Sequence, residues 1–86
     1  MGVQKSIYDE TYRQLVAALK AARLDAGMTQ QQVAEALSKP QSYVAKVEGF
    51  ERRLDVIEFI VLARCIAWDP FPLLQQIYGY GSANGE

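Results

Sequence analysis

The polar side chains just after Pro40 are those whose types and spacing could do chemistry. In a helix that starts near residue 41, Gln41, Ser42 and Lys46 would share one outward face. Amide, hydroxyl and ammonium groups near the start of a helix can hydrogen-bond to base edges in a major groove, and glutamine can bind adenine bidentately. An ordinary solvated helix face is the alternative. The pattern indicates recognition by hydrogen bonds and makes these three residues candidate base-reading groups.

A second set of side chains could bind phosphate groups. Thr29 and Gln30 stand at the expected start of a helix, where free amide protons and the helix dipole favour an anion, although capping alone explains Thr29. Tyr43 could reach a phosphate with its hydroxyl or pack beside a turn. The remaining candidates for phosphate binding are three cations, Lys39, Arg52 and Arg53. For each of them, an ordinary solvated surface position is the alternative.

The composition argues against catalysis and metal binding. The 86 residues include no histidine and one cysteine, which removes the commonest general base and metal ligand and excludes an intrachain disulfide. No glycine-rich phosphate loop appears, and no pair of carboxylates lies in an apolar setting. We therefore expect no enzyme activity, no cofactor and no metal, and no small-molecule ligand is evident from the sequence.

The net charge of −1 is unusual for a chain that binds nucleic acid, since such domains are usually basic. From residue 38 to 53, four basic residues stand against two acidic ones, whereas from residue 54 onward one arginine stands against four acidic residues. Positive charge is thus concentrated around the candidate site. No membrane-spanning run or signal peptide is visible, so we expect a cytoplasmic protein without membrane contact.

Two short helices joined by a tight turn are predicted between Thr29 and Glu48. Thr29 and Gln32 form the S/T-x-x-E/Q capping box, and Pro40 ends the first helix and suits the first turn of the second. The apolar residues of the two helices fall on one inner face: Val33, Ala34, Leu37, Val44 and Val47. This is the pattern of a helix-turn-helix.

The flanking sequence predicts three further helices. A first helix should start near Ser6–Asp9, after five residues without a pattern, and should close at Gly27. A fourth should begin at Asp55, with Val56, Phe59, Leu62, Ala63 and Ile66 as one apolar stripe, and a fifth at Asp69, with Pro70 in its first position. We predict an all-α, compact five-helix bundle over residues 1–78 and a flexible tail over 79–86, where glycine and small polar residues dominate.

The chain resembles the phage-repressor type of helix-turn-helix domain, the Cro-like or XRE-type family, over roughly Tyr12 to Ile77. The matching residues are Leu19, Arg23, Gly27, Met28, Thr29, Gln30, Val33, Ala34, Leu37, Gln41, Ser42, Tyr43, Val44, Lys46, Glu48, Glu51, Arg52, Arg53, Leu54, Asp55, Leu62, Ala63, Asp69 and Pro70. Many relatives have a basic or polar residue and then glycine after the glutamate, whereas this chain has Gly49 and then Phe50.

The resemblance implies sequence-specific binding of double-stranded DNA and transcriptional regulation, with repression expected. It also implies that the glutamine at position 30 contacts the DNA backbone. Arg23 and Glu48 would form the structural ion pair that joins the first helix to the end of the third.

A homodimer is expected because helix 4 has more apolar surface than one small core requires. The predicted interface consists of Ile57, Ile60, Val61, Phe71, Leu74, Ile77 and Tyr78. The alternative is that all of these residues fit into the core of one monomer. Two other functions stay open: a protein-interaction module or antitoxin-like protein that keeps the fold, and a domain cut from a larger regulator.

Overall fold

Five α-helices make up the part of the chain that the structure describes, residues 2–79 of a computed structural model. They are α1 (Gly2–Asp25), α2 (Gln30–Ala36), α3 (Gln41–Glu48), α4 (Val56–Cys65) and α5 (Phe71–Tyr78). No strand occurs within these residues, and the all-α prediction is confirmed. None of the described helices is both long and apolar enough to cross a membrane. Except for Gly79, the predicted tail lies outside the described residues.

The first helix begins earlier than predicted, at Gly2 instead of near Ser6–Asp9. Residues 3–8 contain no proline or glycine, and once a helix exists each added residue contributes a hydrogen bond without a new nucleation cost. The lack of a pattern in the first five residues was therefore not enough to mark the boundary. The prediction that the first five residues stand outside the helix is wrong for residues 2–5.

Two capping boxes are present, the predicted one at Thr29 and a second one at Asp55, where α4 was expected to begin. The Thr29 hydroxyl accepts the Gln32 amide at 3.0 Å while the Gln32 side chain accepts the Thr29 amide at 2.8 Å. At the start of α4 the Asp55 carboxylate accepts a hydrogen bond from the Glu58 amide at 2.7 Å. The Glu58 carboxylate accepts one from the Asp55 amide at 3.0 Å. Each box satisfies two amide protons that a helix start otherwise leaves unpaired.

The prolines lie one position earlier than expected, at the N-caps of α3 and α5. Pro40 keeps an extended backbone (ψ 153°), and its carbonyl accepts the Tyr43 amide at 2.9 Å. Pro70 is likewise the N-cap of α5, so Asp69 precedes the cap, yet its carboxylate still accepts the Phe71 amide at 3.0 Å. Proline suits an N-cap because the residue there needs no amide proton for the helix.

The core forms where α2 packs against α3 and α4 and where α1 packs against α3, and most predicted core positions are buried. Trp68 covers it, meeting Phe59 edge to face with ring centroids 6.1 Å apart. Val56 is an exception at 71% exposed, because it is the first residue of α4 and helical side chains point back towards the N-terminus, here beyond the core. The buried apolar residues are Val16, Leu19, Val33, Ala34, Tyr43, Val44, Val47, Phe59, Leu62, Ala63 and Ile66.

Four helices end in the same backbone turn, in which one residue takes a left-handed conformation. In α1 that residue is Gly27, as predicted, but in α2, α3 and α4 it is Ser38, Phe50 and Ala67, with φ of 57°, 66° and 55°. The residue after each donates its amide to a carbonyl five positions back, at 2.8–3.1 Å. These are Schellman turns, and after α3 the left-handed position falls on Phe50 instead of the neighbouring glycine.

We expect Ala67→Gly to raise the free energy of unfolding by about 1 kcal/mol, since glycine has no Cβ to oppose a left-handed backbone. Ala21→Gly is the matched control, because Ala21 is exposed within α1 and should lose about 1 kcal/mol. Urea unfolding of both variants measures the two changes. Equal destabilisation by both substitutions would contradict the assigned backbone conformation at residue 67.

Candidate nucleic-acid interface

The outward face of α3 brings the three candidate base-reading residues together. Gln41, Ser42 and Lys46 are exposed, while Val44 and Val47 on the opposite side are 3% and 1% exposed. Buried Val33 and Ala34 of α2 belong to the same core, and residues 37–40 form the turn between the two helices. The apolar inner side therefore fixes which polar side chains α3 presents to solvent.

A buried ion pair attaches the end of α3 to α1. The Arg23 Nε and Nη2 donate to the Glu48 carboxylate at 2.7 and 2.9 Å, and the two side chains are 9% and 7% exposed. Arg23 Nη1 also donates to the Met28 carbonyl at 2.8 Å, which attaches the turn before α2. The two residues that the resemblance pairs are thus in direct, bidentate contact.

Each residue of this ion pair stabilises the ionised form of the other. Burial on its own would raise the pKa of Glu48, but the hydrogen bonds from Arg23 and Gln30 and the nearby positive charge outweigh it, and the pKa is lowered. The hydrogen bond to Glu48 raises the pKa of Arg23 further above its ordinary value. Both groups are therefore ionised at neutral pH.

Gln30 links this ion pair to the exposed face, which the sequence did not indicate. Its amide nitrogen donates to Glu48 Oε1 at 2.9 Å, and its amide oxygen accepts a hydrogen bond from Gln41 Nε2 at 2.7 Å. The residues are 18 and 11 positions apart, so no local spacing rule connects them. The predicted phosphate-binding residue and the predicted base-reading residue are joined directly.

The cations around the motif lie over aromatic rings. Lys39 and Arg52 are 5.1 and 4.9 Å from the ring centroid of Tyr43, which is only 9% exposed, so this ring packs beside the turn. Burial is the main cause that raises the pKa of Tyr43. Arg52 also pairs with Glu58 at 3.0 Å, and its guanidinium is therefore less available for a phosphate than that of Arg53.

Tyr12 of α1 positions the loop that follows α3. Its hydroxyl accepts the Leu54 amide at 3.0 Å, and Arg53 lies 4.2 Å from its ring centroid. Arg13, also of α1, lies 4.5 Å from the ring centroid of Phe50 in the same loop. Local sequence spacing could not indicate this role of Tyr12, because its partners are more than 40 positions away.

The residues predicted for a dimer interface divide by exposure. Ile57, Ile60 and Val61 of α4 are 68%, 40% and 44% exposed. On α5, Leu74 and Ile77 are half-buried and Leu74 packs against the core. Phe71 and Tyr78 are 71% and 89% exposed, and the structure leaves a largely uncovered apolar surface on α4 and α5.

Glu48→Ala is expected to lower the free energy of unfolding by about 3 kcal/mol at pH 7, because it leaves the Arg23 charge buried without its partner. Glu51→Ala, at an exposed neighbouring glutamate, should change it by less than about 0.5 kcal/mol. Thermal and urea unfolding compare the two variants, and equal stabilities would contradict a structural role for the pair.

The same pair makes stability depend on pH. Since folding lowers the pKa of Glu48, its contribution is full above the unfolded value of about 4.3 and disappears as pH falls through the lower folded value. The difference in stability between wild type and Glu48→Ala should therefore shrink below about pH 4. A difference that stays constant down to acid unfolding would show that ionised Glu48 is not its source.

Comparisons with known proteins agree with this geometry. A family model described as helix-turn-helix matches residues 19–64. A solved structure, an XRE-family like protein from Pseudomonas syringae pv. tomato str. DC3000, is similar to this chain with a TM-score of 0.85 and 42% identity, covering 93% of this chain and 98% of that one. No match is found among curated proteins. The chain therefore belongs to the XRE family of helix-turn-helix proteins, which are DNA-binding transcription regulators and not enzymes.

Proposed function

We propose that this protein binds a specific operator in double-stranded DNA as a homodimer and represses transcription in the cytoplasm. The observation that supports this most strongly is the exposed row of Gln41, Ser42 and Lys46 along α3. A helix with an apolar inner face and polar groups at its N-terminal end can enter a major groove and meet base edges. Repression would result where the occupied operator overlaps a site that the transcription machinery has to bind.

Phosphate contacts would supply most of the affinity, and they have to come from local charge because the net charge is −1. Because the Thr29 amide is already bonded to the Gln32 side chain, the amide protons on offer at the start of α2 are those of Gln30 and Gln31. Lys39 in the turn of the motif and Arg53 after it offer exposed cations. The candidate phosphate-binding residues therefore differ in their expected contribution. Arg52, paired with Glu58, holds the loop against α4 and contributes less to phosphate binding.

Dimerisation is supported by the apolar surface of α4 and α5. Leaving a large aliphatic or aromatic side chain in water is unfavourable by about 1.5–3 kcal/mol. Ile57, Ile60 and Val61 are exposed close together along α4, and Phe71 and Tyr78 are exposed on α5. We propose that a second copy of the chain covers this surface, because a two-fold axis can place the two α3 helices in successive major grooves about 34 Å apart.

The other candidate function is a protein-interaction module, such as an antitoxin-like protein, that acts mainly through a protein partner. The slight negative net charge and the same apolar surface favour it. Selection of bound duplexes from a random pool separates the two functions. A recovered consensus bound in a salt-dependent manner supports the operator, whereas failure to retain any duplex at low salt supports the interaction module.

Gln41→Ala is expected to weaken binding to the selected operator by about 1–3 kcal/mol and to relax the preference at one base pair, as the loss of a bidentate contact should. Lys46→Ala should do the same at another position. Gln76→Ala, an exposed glutamine on α5, is the matched control and should leave binding unchanged. Equal losses on operator and random duplexes would move Gln41 and Lys46 to the phosphate-binding class.

For the dimer, we expect sedimentation at micromolar concentration to give twice the mass of one chain, and Ile57→Asp to reduce it to one chain with unchanged helicity. Leu24→Asp is the control, since Leu24 is 58% exposed on α1, outside the proposed interface. A wild-type particle with the mass of one chain, both free and on DNA, would rule out the dimer.

A further inference from the structure

The arginines around the motif are held in two different ways. Arg23 and Arg52 are each paired with a glutamate. Arg13 of α1 and Arg53 of the loop after α3 are exposed and lie over aromatic rings instead. Among the side chains that the structure describes, neither of these two guanidinium groups has an acidic partner or donates a hydrogen bond. Both keep their charge and their N–H groups for a partner outside the chain.

The two ring contacts run in opposite directions between α1 and the loop. Arg13 of α1 lies 4.5 Å from the ring centroid of Phe50 in the loop, and Arg53 of the loop lies 4.2 Å from the ring centroid of Tyr12 in α1. The Tyr12 hydroxyl also accepts the Leu54 amide at 3.0 Å, which attaches the loop backbone to α1. One junction therefore carries two guanidinium groups.

A guanidinium held by a ring is prepared for an anion in a way that an ion-paired one is not. The attraction between the cation and the π electrons uses none of the five N–H donors. The planar group can then bind a phosphate through two parallel hydrogen bonds. Because the ring already restricts the side chain, less conformational entropy is lost when the anion binds.

Phe50 makes its contact from an unfavourable backbone conformation. Its φ of 66° lies in the left-handed region, where a bulky residue is an outlier, although glycine stands next to it at position 49. The ring is 41% exposed, so burial offsets little of this cost. Strained residues cluster at functional sites, and the contact that the Phe50 ring makes there is the one with Arg13.

The loop lies against the last turn of α3, at the end of the outward face. The amides of Glu51 and Arg52 both donate to the Lys46 carbonyl, at 2.8 and 3.1 Å. A helix with its side chains nearly fills a major groove about 12 Å wide, so a phosphate backbone lies along each side of it. A duplex that meets Gln41 and Lys46 would therefore bring backbone phosphates to this loop.

We propose that Arg13 and Arg53, held over the rings of Phe50 and Tyr12, bind phosphates of the DNA strand that passes the loop after α3. Arg13 is thereby a DNA contact on α1, outside the helix-turn-helix, and Phe50 is the positioning residue for it. The inference rests on the proposed function, since it requires α3 in a major groove.

Binding to a duplex of random sequence tests the proposal, because phosphate contacts do not depend on sequence. Arg13→Ala should weaken this binding about fivefold to tenfold at about 0.1 M salt and reduce the slope of log K against log salt by about 0.9, the loss of one phosphate contact. Gln14→Glu is the matched control, because it makes the same change in net charge at the adjacent exposed residue. It should weaken binding less than about twofold and leave the slope unchanged.

The role of Phe50 is tested at constant net charge. Phe50→Gly should weaken binding about twofold to threefold, since Arg13 keeps its charge but loses its ring, while the melting temperature stays at or above that of the wild type because glycine suits the left-handed backbone. Phe50→Tyr keeps the ring and should bind as the wild type does. In Phe50→Gly, adding Arg13→Ala should weaken binding less than it does in the wild type.

Two results would overturn the proposal. If Arg13→Ala and Gln14→Glu have the same affinity and salt slope, Arg13 contacts no phosphate. If Phe50→Gly binds as the wild type does, or if the effects of the two substitutions simply add, Phe50 does not position Arg13.

The Gln41→Ala variant keeps these results separate from the proposed function. If Gln41→Ala weakens operator binding and Arg13→Ala changes nothing, α3 contacts DNA and the proposal alone is wrong. If the wild type retains no duplex even at low salt, the proposed function fails and the proposal fails with it. Binding of an acidic peptide by the wild type but not by Arg13→Ala would then identify the junction as a protein-binding surface.

Discussion

The buried ion pair between Arg23 and Glu48 is the interaction on which the rest of the structure depends. One guanidinium holds three segments: the end of α1 that contains it, the turn before α2 through the Met28 carbonyl, and the end of α3 through Glu48. Its hydrogen bonds have definite directions, unlike apolar contacts, so it fixes orientation as well as proximity. In a buried site neither charge can lose its partner without a large cost.

This constraint matters because the two helices of the motif are very short. α2 has seven residues and α3 has eight, and isolated helices of that length are not stable in water. Their conformation comes from the core they share with α1 and α4 and from the caps at Thr29 and Pro40. The ion pair lies beside this core. Because Arg23 neutralises Glu48, α3 can end in a charged residue while its apolar residues stay buried. The outward face of α3 is therefore as well fixed as the core beneath it.

Features set by neighbours in the sequence could be predicted, and features set by distant contacts could not. The capping boxes at Thr29 and Asp55 and the left-handed Gly27 follow from spacings of a few residues. The inner faces of α2 and α3 follow from helical periodicity in the same way. The exposure of Val56 was missed because it depends on where the core ends relative to the first turn of α4.

The candidate site shows the same division. The exposed positions of Gln41, Ser42 and Lys46 could be predicted from one helix alone. The role of Gln30 could not, because its two partners come from the start and the end of another helix. The left-handed Phe50 also escaped prediction, since the sequence offers glycine at the adjacent position, and the backbone bonds of the turn after α3 decide which residue adopts that conformation.

The central claim is that the outward face of α3 meets DNA, and titration of the ¹⁵N-labelled protein with a selected duplex tests it most directly. We predict that resonance changes concentrate on α3 and the first turn of α2, including the side-chain amides of Gln30 and Gln41. The surface of α4 around Ile57 and Ile60 should change little once the dimer has formed. Changes confined to that α4 surface, or spread evenly over the molecule, would contradict the account.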